Sequence, residues 1–495
     1  MVLRLSAVLA SAVLFFFGTG MSALPALTWL APLPVLLLAA RTKWAPALGF
    51  VAYLLGTANS WAFQLRSHDV PMVPAGLIIN IGGSITFALV VWVLRHHLTR
   101  GRPVLASLAA PALWTGLLYL VSLVNPKGVS GTFANDVADV PVVVQTAAVA
   151  GMWGVEFLVL YVPAAVAALM SARGKSTAIV ALALVGVALG GGAIRLSGDD
   201  GPVRKVAAIA TNQKHWAPDL ATSEARDLVA TYVREIEGLP AGVDTVVLPE
   251  GTVGSAEANP SALVEPLRRV AGERKLDIVV GHMHYAERAK YNYALVFPSD
   301  GGPPLTYLKH HDSASAPGRD LLVRAAAGVA ICADVNQPDP IRDYAAAGTT
   351  LLLVPASDET ENGWQHSRTL LVRGVEHGQA TVWSARTGTL MIADGRGRVR
   401  ADASTGGAGA VTTVVADVPT GPGATPYTRL GDWFAWLCLA IALGGLLTDR
   451  LGGRLGGGRL GGGRLGDRLR GGRLGGLRGG RQTMRAAETG RSASE

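Results

Sequence analysis

The sequence GVAICAD, residues 328–334, is an apolar run that ends at a cysteine, and the predicted domain is organised around it. The residues before Cys332, namely 321–323 and then 329–331, are apolar and β-branched, which predicts a buried strand ending at the thiol. A thiol at a strand end can project into a cleft and act as a nucleophile. The alternative is a small hydrophobic residue that only fills the core, which is the commoner fate of cysteine.

Short β-branched runs alternate with amphipathic helical patterns on both sides of this stretch, over residues 198–429. Strands are predicted at residues 203–210, 244–248, 277–281, 291–297, 350–355, 380–384, 390–393 and 398–401. Helices are predicted at residues 223–237, 261–274, 340–347 and 366–377. This alternation predicts an α/β domain of the layered-sandwich type, and the segment is long enough to have its own core.

Three of the strand-like runs are followed by a reactive side chain. Glu250 follows TVVLP, Lys309 follows PLTYL, and Cys332 follows GVAI. The thiolate is the nucleophile in cysteine chemistry, and a neighbouring cation lowers the pKa of the thiol. A carboxylate can take the thiol proton and return it, while an ammonium can stabilise an oxyanion. Taken one at a time, Glu250 and Lys309 are better explained as surface charges at strand ends.

The hydrophobic residues are distributed unevenly along the chain. They make up 49% of it while charged residues make up 16%, a composition that indicates membrane spans. A spanning helix needs about 20 apolar residues. The predicted spans are residues 5–20, 24–40, 45–63, 72–94, 104–124, 147–170, 177–196 and 430–448. The predicted parts are a bundle at 1–197, a domain at 198–429, a last span at 430–448 and a tail at 449–495.

Basic residues in alternate loops predict the orientation of the spans. They lie before the first span and after the second, fourth and sixth, at Arg4, Arg41, Lys43, Arg95, Arg100, Arg102, Arg173 and Lys175. Basic loops face the cytoplasm, so both termini are predicted there and the α/β domain outside. The tail supplies +7 of the net charge of +8 and is rich in Gly, Arg and Leu. It is therefore predicted to be disordered, and no nucleic-acid surface is expected.

The chain order of the motifs resembles the nitrilase superfamily of carbon–nitrogen hydrolases. The motifs are LPEGT at 248–252, YNYALVF at 291–297, YLKHH at 307–311, GVAICAD at 328–334 and LLLVPASD at 351–358. The resemblance implies an α-β-β-α sandwich with a Glu-Lys-Cys triad. Matched motif by motif, that triad is Glu250, Lys309 and Cys332.

The apolar flanks resemble one membrane family of that superfamily, apolipoprotein N-acyltransferase. The matches are GMWGVEFL at 151–158, RGVEHG at 373–378 and TPYTRLGDW at 425–433. The resemblance implies a cofactor-free enzyme of the bacterial plasma membrane that forms a thioester on its cysteine. The implied donor is a phospholipid in the bilayer, and the implied acceptor is the α-amino group of a diacylglyceryl-cysteine lipoprotein.

Three segments depart from the family pattern. The glutamate that supports the triad soon after the lysine is missing, which leaves Asp312 or Asp320 as substitutes. Asp334 replaces a glutamate two residues after the cysteine, and the rewritten loop 357–364 ends at Trp364. We expect these four residues to support the site, and the departures to alter donor preference, rate or acceptor.

Two other functions stay open at this point. A membrane-tethered amidase or hydrolase with the same triad would release the acyl group to water. A nitrilase-like paralogue that has lost its activity would only bind lipid or a partner protein. His282 and His284 share one strand face, but no third ligand accompanies them, so the sequence predicts no metal site.

Overall fold

The computed structural model describes residues 1–68, 70–125, 127–170, 174–199, 201–407 and 409–456. The chain divides into two compact units, Met1–Gly445 and Leu446–Glu495. The first unit contains the N-terminal apolar helices and the α/β domain. Of the second unit, the described part is the end of a helix that stops at Gly456. The tail was predicted to be disordered over residues 449–495, but residues 449–456 belong to this helix, and the rest of the tail lies outside the described residues.

Apolar helices occupy the part of the chain before the α/β domain. They are α1 (Val2–Gly18), α2 (Pro25–Leu30), α3 (Leu33–Leu36), α4 (Ala45–Gly56), α5 (Trp61–Gln64), α6 (Leu77–Thr99), α7 (Pro103–Val124), α8 (Phe133–Asp136), α9 (Pro141–Val144), α10 (Ala147–Leu169) and α11 (Gly174–Leu196). By length and composition, four helical stretches among the described residues can cross a membrane: Met72–Thr99, Pro103–Val124, Ala147–Leu169 and Gly174–Leu196. Shorter apolar helices cover Val2–Gly18, Pro25–Leu36 and Trp433–Leu447.

Two of the predicted spans are built from short pieces. Residues 24–40 form α2 and α3, because Pro32 and Pro34 lack the backbone N–H that a continuous helix needs. Residues 45–63 form α4, a 3₁₀ turn at Thr57–Ser60 and the start of α5. The first and the last predicted spans correspond to the shorter helices Val2–Gly18 and Trp433–Leu447. Length and composition thus identify four of the eight predicted spans.

The α/β domain contains thirteen strands among the described residues. They are β1 (Val203–Thr211), β2 (Thr245–Val247), β3 (Val253–Ser255), β4 (Asp277–Tyr285), β5 (Lys290–Phe297), β6 (Leu305–Leu308), β7 (Val323–Arg324), β8 (Ala327–Val329), β9 (Leu351–Ala356), β10 (Ala380–Ala385), β11 (Gly388–Ala393), β12 (Val399–Thr405) and β13 (Val411–Pro419). The remaining helices are α12 (Ser223–Glu237), α13 (Ser261–Arg274), α14 (Ile341–Ala346), α15 (Gly363–His377), α16 (Pro426–Leu430) and α17 (Trp433–Gly456).

The strands form two sheets that pack face to face. The first has the order β13-β1-β2-β4-β5-β6 with β3 beside β4, and the second has the order β12-β11-β10-β9-β8-β7. Helices α12 and α13 cover the outer face of the first sheet through an apolar core that includes Tyr232 and Leu267. Helix α15 covers the second sheet, and β1 and β4 face β10 and β9 between them. The α-β-β-α sandwich that the resemblance implied is confirmed.

The structure differs from the predicted elements at three places. The single strand expected before Cys332 is a hairpin of β7 and β8, because Ala325 and Ala326 adopt positive φ values of 47° and 59° and reverse the chain. Strands β3 and β13 were not predicted. Strand β13 pairs antiparallel with β1 over nine residues, a contact between opposite ends of the domain that no local pattern reveals.

Helix α10 connects the apolar helices to the α/β domain. Its backbone breaks at Gly151, where φ is 66° and the ring of Tyr427 fills the space that a Cβ would occupy. The N–H of Met152 donates to Glu376 Oε1 at 2.6 Å, and Glu376 pairs with Arg373 at 2.7 Å. These buried contacts tie α15, and with it the second sheet, to the helical bundle.

Candidate active site

The three reactive side chains predicted from the sequence lie together where strands from both sheets end. Glu250 follows β2 and Lys309 follows β6 in the first sheet, while Cys332 follows β8 in the second. The Lys309 Nζ is 2.7 Å from the Glu250 Oε1. The three residues are only 3%, 7% and 7% exposed, respectively, so they form a buried cluster and not the surface charges of the alternative interpretation.

Asn292 holds the Glu250 carboxylate from the other side. Its Nδ2 lies 2.7 Å from Glu250 Oε1 and 3.1 Å from Asp312 Oδ2. The same carboxylate oxygen therefore accepts from both the ammonium and the amide. Asn292 was not among the predicted site residues, although an amide between two tyrosines in the strand-like run YNYALVF was a signal for it.

The backbone at Cys332 holds the thiol in a tight turn. A 3₁₀ turn begins at this residue. The φ angle of Cys332 is 44°, a value that a residue other than glycine adopts only when its surroundings impose it. The sulfur lies 3.6 Å from the carbonyl oxygen of Ser357, in the loop after β9. The turn therefore places the thiol beside the loop that follows β9.

Asp334 maintains this turn. Its Oδ2 accepts from the Ile331 N–H at 2.9 Å and from the Tyr307 hydroxyl at 2.8 Å, and its Oδ1 accepts from the His311 N–H at 2.8 Å. The residue is fully buried. Asp334 therefore connects the cysteine turn to the segment that carries Lys309.

We expect Asp334→Ala to destabilise the protein and slow its chemistry. The substitution leaves buried donors without an acceptor, at a cost of about 1–3 kcal/mol for each donor that water cannot reach. Thermal unfolding of the detergent-solubilised protein measures the loss, and acylation of Cys332 measures the effect on the turn. Asp320→Ala is the matched control, because Asp320 is exposed and its carboxylate has no hydrogen-bond or ion-pair partner among the described residues. If Asp334→Ala and Asp320→Ala have the same unfolding temperature and the same rate of Cys332 acylation, Asp334 does not maintain the turn.

The other expected supporting residues differ in position. Asp312 borders the site through Asn292, and its pKa is below the usual value because Lys309 and several hydrogen bonds outweigh the effect of burial. The backbone oxygen of Asp320 lies 3.3 Å from Nε2 of His310. Trp364 stacks on Arg368, with 5.3 Å between the guanidinium carbon and the ring centre.

Three neighbouring influences act on the protonation of the thiol. Burial and the negative charge of Glu250 raise the pKa of Cys332 well above the ordinary value. Lys309 lowers that pKa, as expected of a neighbouring cation, but it only partly opposes the other two. The pKa of Lys309 is raised, because nearby carboxylates, Glu250 first among them, outweigh the effect of its burial. The resting site thus contains an ammonium–carboxylate pair beside a neutral thiol.

One group of three potential metal ligands occurs among the described residues. The Cys332 sulfur, an Asp358 oxygen and a His366 nitrogen lie within 4.8 Å of one another. Zinc accepts these atom types, but an ion there would occupy the sulfur that the chemistry needs. His282 is instead buried against Ser255, at 2.9 Å from its hydroxyl. The proximity of His366 to Cys332 was not predicted, because the two residues are 34 positions apart in the chain.

Two family models match the chain over most of its length. The model for the apolipoprotein N-acyltransferase N-terminal domain matches residues 11–165. The model for carbon–nitrogen hydrolase matches residues 205–422. The two matches coincide with the apolar helices and with the α/β sandwich.

Relatives with curated names match across both parts. An apolipoprotein N-acyltransferase of Gloeobacter violaceus is 28% identical over 429 residues, which cover 76% of this chain and 78% of that protein. The enzyme of that name from Geobacter metallireducens is 26% identical over 479 residues, which cover 84% of this chain and 89% of that protein.

Solved structures of the nitrilase superfamily align with the α/β domain. Saccharomyces cerevisiae Nit3 is 19% identical, with a TM-score of 0.37, and the alignment covers 44% of this chain and 92% of that one. An amidase from Nesterenkonia is 20% identical, with a TM-score of 0.36, over 47% of this chain and 96% of that one. The family models and the curated relatives establish that the chain belongs to the apolipoprotein N-acyltransferase family and carries a carbon–nitrogen hydrolase domain.

Proposed function

We propose that this protein is an apolipoprotein N-acyltransferase with Glu250, Lys309 and Cys332 as its catalytic residues. It moves an acyl chain from a phospholipid, through a thioester on Cys332, to the N-terminal amine of a diacylglyceryl-cysteine lipoprotein. The observation that carries the proposal is the buried Glu250–Lys309 pair beside Cys332, in a domain joined by buried contacts to apolar helices.

The first half-reaction uses all three residues. Glu250 takes the proton of the neutral thiol as the sulfur attacks the ester carbonyl of the phospholipid, and a carbon–sulfur bond forms. The Lys309 ammonium stabilises the oxyanion of the tetrahedral intermediate. The carbon–oxygen bond to the glycerol then breaks, and the proton on Glu250 passes to the leaving oxygen. The products are the acyl thioester and a lysophospholipid.

The raised thiol pKa fits this order of events. A thiol that stays neutral until the substrate carbonyl arrives does not react with other electrophiles in the meantime. Burial of the cluster also keeps water from the thioester, which has to survive until the second lipid substrate binds. The same features would be a disadvantage in a hydrolase that uses water as its acceptor.

Contacts with the helical bundle support a site at the membrane surface. Arg368 on α15 pairs with Asp139 at 2.8 Å, and Thr369 accepts from Asn135 at 3.0 Å. Beyond the site, Arg66 pairs with Glu361 at 2.7 Å. We propose that eight spans, including α17, place residues 198–429 on the extracytoplasmic face with both termini inside. Labelling of single cysteines from either side of sealed vesicles tests this topology.

Trapping of the acyl-enzyme tests the function. Purified protein incubated with labelled phospholipid, without acceptor, should carry one acyl group on Cys332, detectable by mass spectrometry and cleaved by hydroxylamine. Cys332→Ala should abolish the label and all transfer to a diacylglyceryl-cysteine peptide, because no other group replaces the sulfur. Cys438→Ala, which removes the second cysteine in α17, is the matched control and should keep both.

The alternatives give different results in the same assay. Free fatty acid released at the full rate without any acceptor peptide would show that water resolves the thioester, as in the hydrolase alternative. A wild-type protein that never acquires the label would favour the inactive paralogue. Either result contradicts the proposed function.

A further inference from the structure

His366 lies beside the proposed nucleophile, and the first half-reaction does not use it. Its ring nitrogen, the Cys332 sulfur and an Asp358 oxygen are mutually within 4.8 Å. His366 lies near the start of α15 and Asp358 in the loop after β9, so both reach the sulfur from the second sheet. Glu250 and Lys309 reach it from the first sheet. The sulfur therefore has acid–base groups that come from both sheets.

The hydrogen bond between His366 and Asp358 determines the tautomer of the imidazole. Nδ1 of His366 is 2.7 Å from Oδ1 of Asp358. A carboxylate can only accept, so Nδ1 of His366 carries the proton and, in the neutral ring, Nε2 carries the lone pair. The carboxylate also fixes the orientation of the ring, as the third group does in a nucleophile–base–orienter arrangement.

Two atoms of this pair are buried without a hydrogen-bond partner among the described residues. They are Nε2 of His366 and Oδ2 of Asp358, and Asp358 is only 6% exposed. Buried polar atoms are normally paired, so unpaired ones beside a nucleophile point to a partner that arrives with a substrate. The unpaired imidazole nitrogen can accept a proton, which is what an incoming amine has to lose.

We propose that His366, oriented by Asp358, is the general base of the second half-reaction, an inference that rests on the proposed function. The amine nitrogen attacks the thioester carbon, a carbon–nitrogen bond forms and the carbon–sulfur bond breaks. His366 takes the amine proton and returns it to the departing Cys332 sulfur, which regenerates the thiol. One ring nitrogen of His366 lies within 4.8 Å of the sulfur, which places the imidazole next to the thioester carbon that the amine has to reach.

This assignment divides the work between two bases. Glu250 is held by Lys309 and Asn292 and serves the thiol and the glycerol oxygen. His366 serves the amine on the side of the second sheet. Two bases on opposite sides suit an enzyme whose leaving group and acceptor are different lipids that occupy the site in turn.

A single-turnover experiment on the full-length protein tests the proposal. The acyl-enzyme is formed with labelled phospholipid, and a diacylglyceryl-cysteine peptide is then added. The rate at which the thioester disappears is measured and divided by the amount of protein that carried the label. We expect His366→Asn to slow transfer to the peptide by about 10²–10⁴-fold, the usual contribution of a general base. Asn keeps a donor toward Asp358 but has no basic nitrogen. Hydroxylamine should cleave the thioester of the wild-type protein and of His366→Asn at similar rates. It is largely neutral at pH 7, so it can attack without a base to deprotonate it first.

The matched control is His215→Asn. His215 forms the same kind of pair, with its Nδ1 3.0 Å from Glu224 Oε1, but on the exposed surface. His215→Asn should change neither the rate of transfer to the peptide nor the rate of discharge by hydroxylamine. The proposal is overturned if His366→Asn transfers at the wild-type rate, or if hydroxylamine discharge slows as much as transfer to the peptide. A wild-type protein that never becomes acylated would instead contradict the proposed function.

Discussion

Glu250→Gln should make Cys332 more reactive toward alkylating reagents while it abolishes acyl transfer. The negative charge of Glu250 is one of the causes that raise the thiol pKa, so its removal lowers that pKa and increases the thiolate fraction at a given pH. Glutamine cannot accept the thiol proton, so formation of the acyl-enzyme should fall by about 10²–10⁴-fold or more. The two effects have opposite signs, and a merely misfolded variant would not produce that combination.

Iodoacetamide labelling of Cys332 as a function of pH measures the first effect. In the wild-type protein the labelling rate should stay low at neutral pH and rise only above pH 9.0, the ordinary thiol value. In Glu250→Gln the rise should begin at lower pH. Asp244→Asn serves as the control, because that carboxylate pairs with Arg204 and is partly exposed. If iodoacetamide labelling and acylation of Cys332 both fall in Glu250→Gln, Glu250 is not the base.

Lys309→Met should cause the largest loss of stability among the site variants. The ion pair with Glu250 is buried, with side chains 9% and 4% exposed, and the substitution leaves a carboxylate without its counter-ion. Breaking a buried pair from one side costs about 3–5 kcal/mol. Acylation should also be lost, because nothing then stabilises the oxyanion. Thermal unfolding and labelling with phospholipid measure the two effects.

The double variant Lys309→Met, Glu250→Gln separates stability from chemistry. Neutralising both partners removes the unpaired charge, so we expect the unfolding temperature to return toward the wild-type value. Acylation of Cys332 should remain absent, because neither base nor oxyanion stabiliser is present. If the double variant is no more stable than Lys309→Met, the charge pair is not what Lys309 contributes to the fold.

Local sequence was sufficient for the elements whose pattern is strong. Helices α12 and α13 begin and end at the predicted residues, and β6 and β9 lie where β-branched runs indicated. Motif order was sufficient to predict that Glu250, Lys309 and Cys332 belong to one site. Strand β13 was missed because its pairing partner β1 lies about two hundred residues away, and such a contact leaves no local signal.

The sequence by itself determined the fold class, the family and the three reactive residue types, because these depend on local periodicity and on motif order. The tertiary structure decided which groups surround the sulfur and in which protonation state it rests. Asn292, Asp358 and His366 reach the cluster from distant parts of the chain. Burial and Glu250 raise the pKa of the thiol by more than the neighbouring lysine lowers it. Distances and desolvation exist only in the folded chain, so no pattern of letters could supply them.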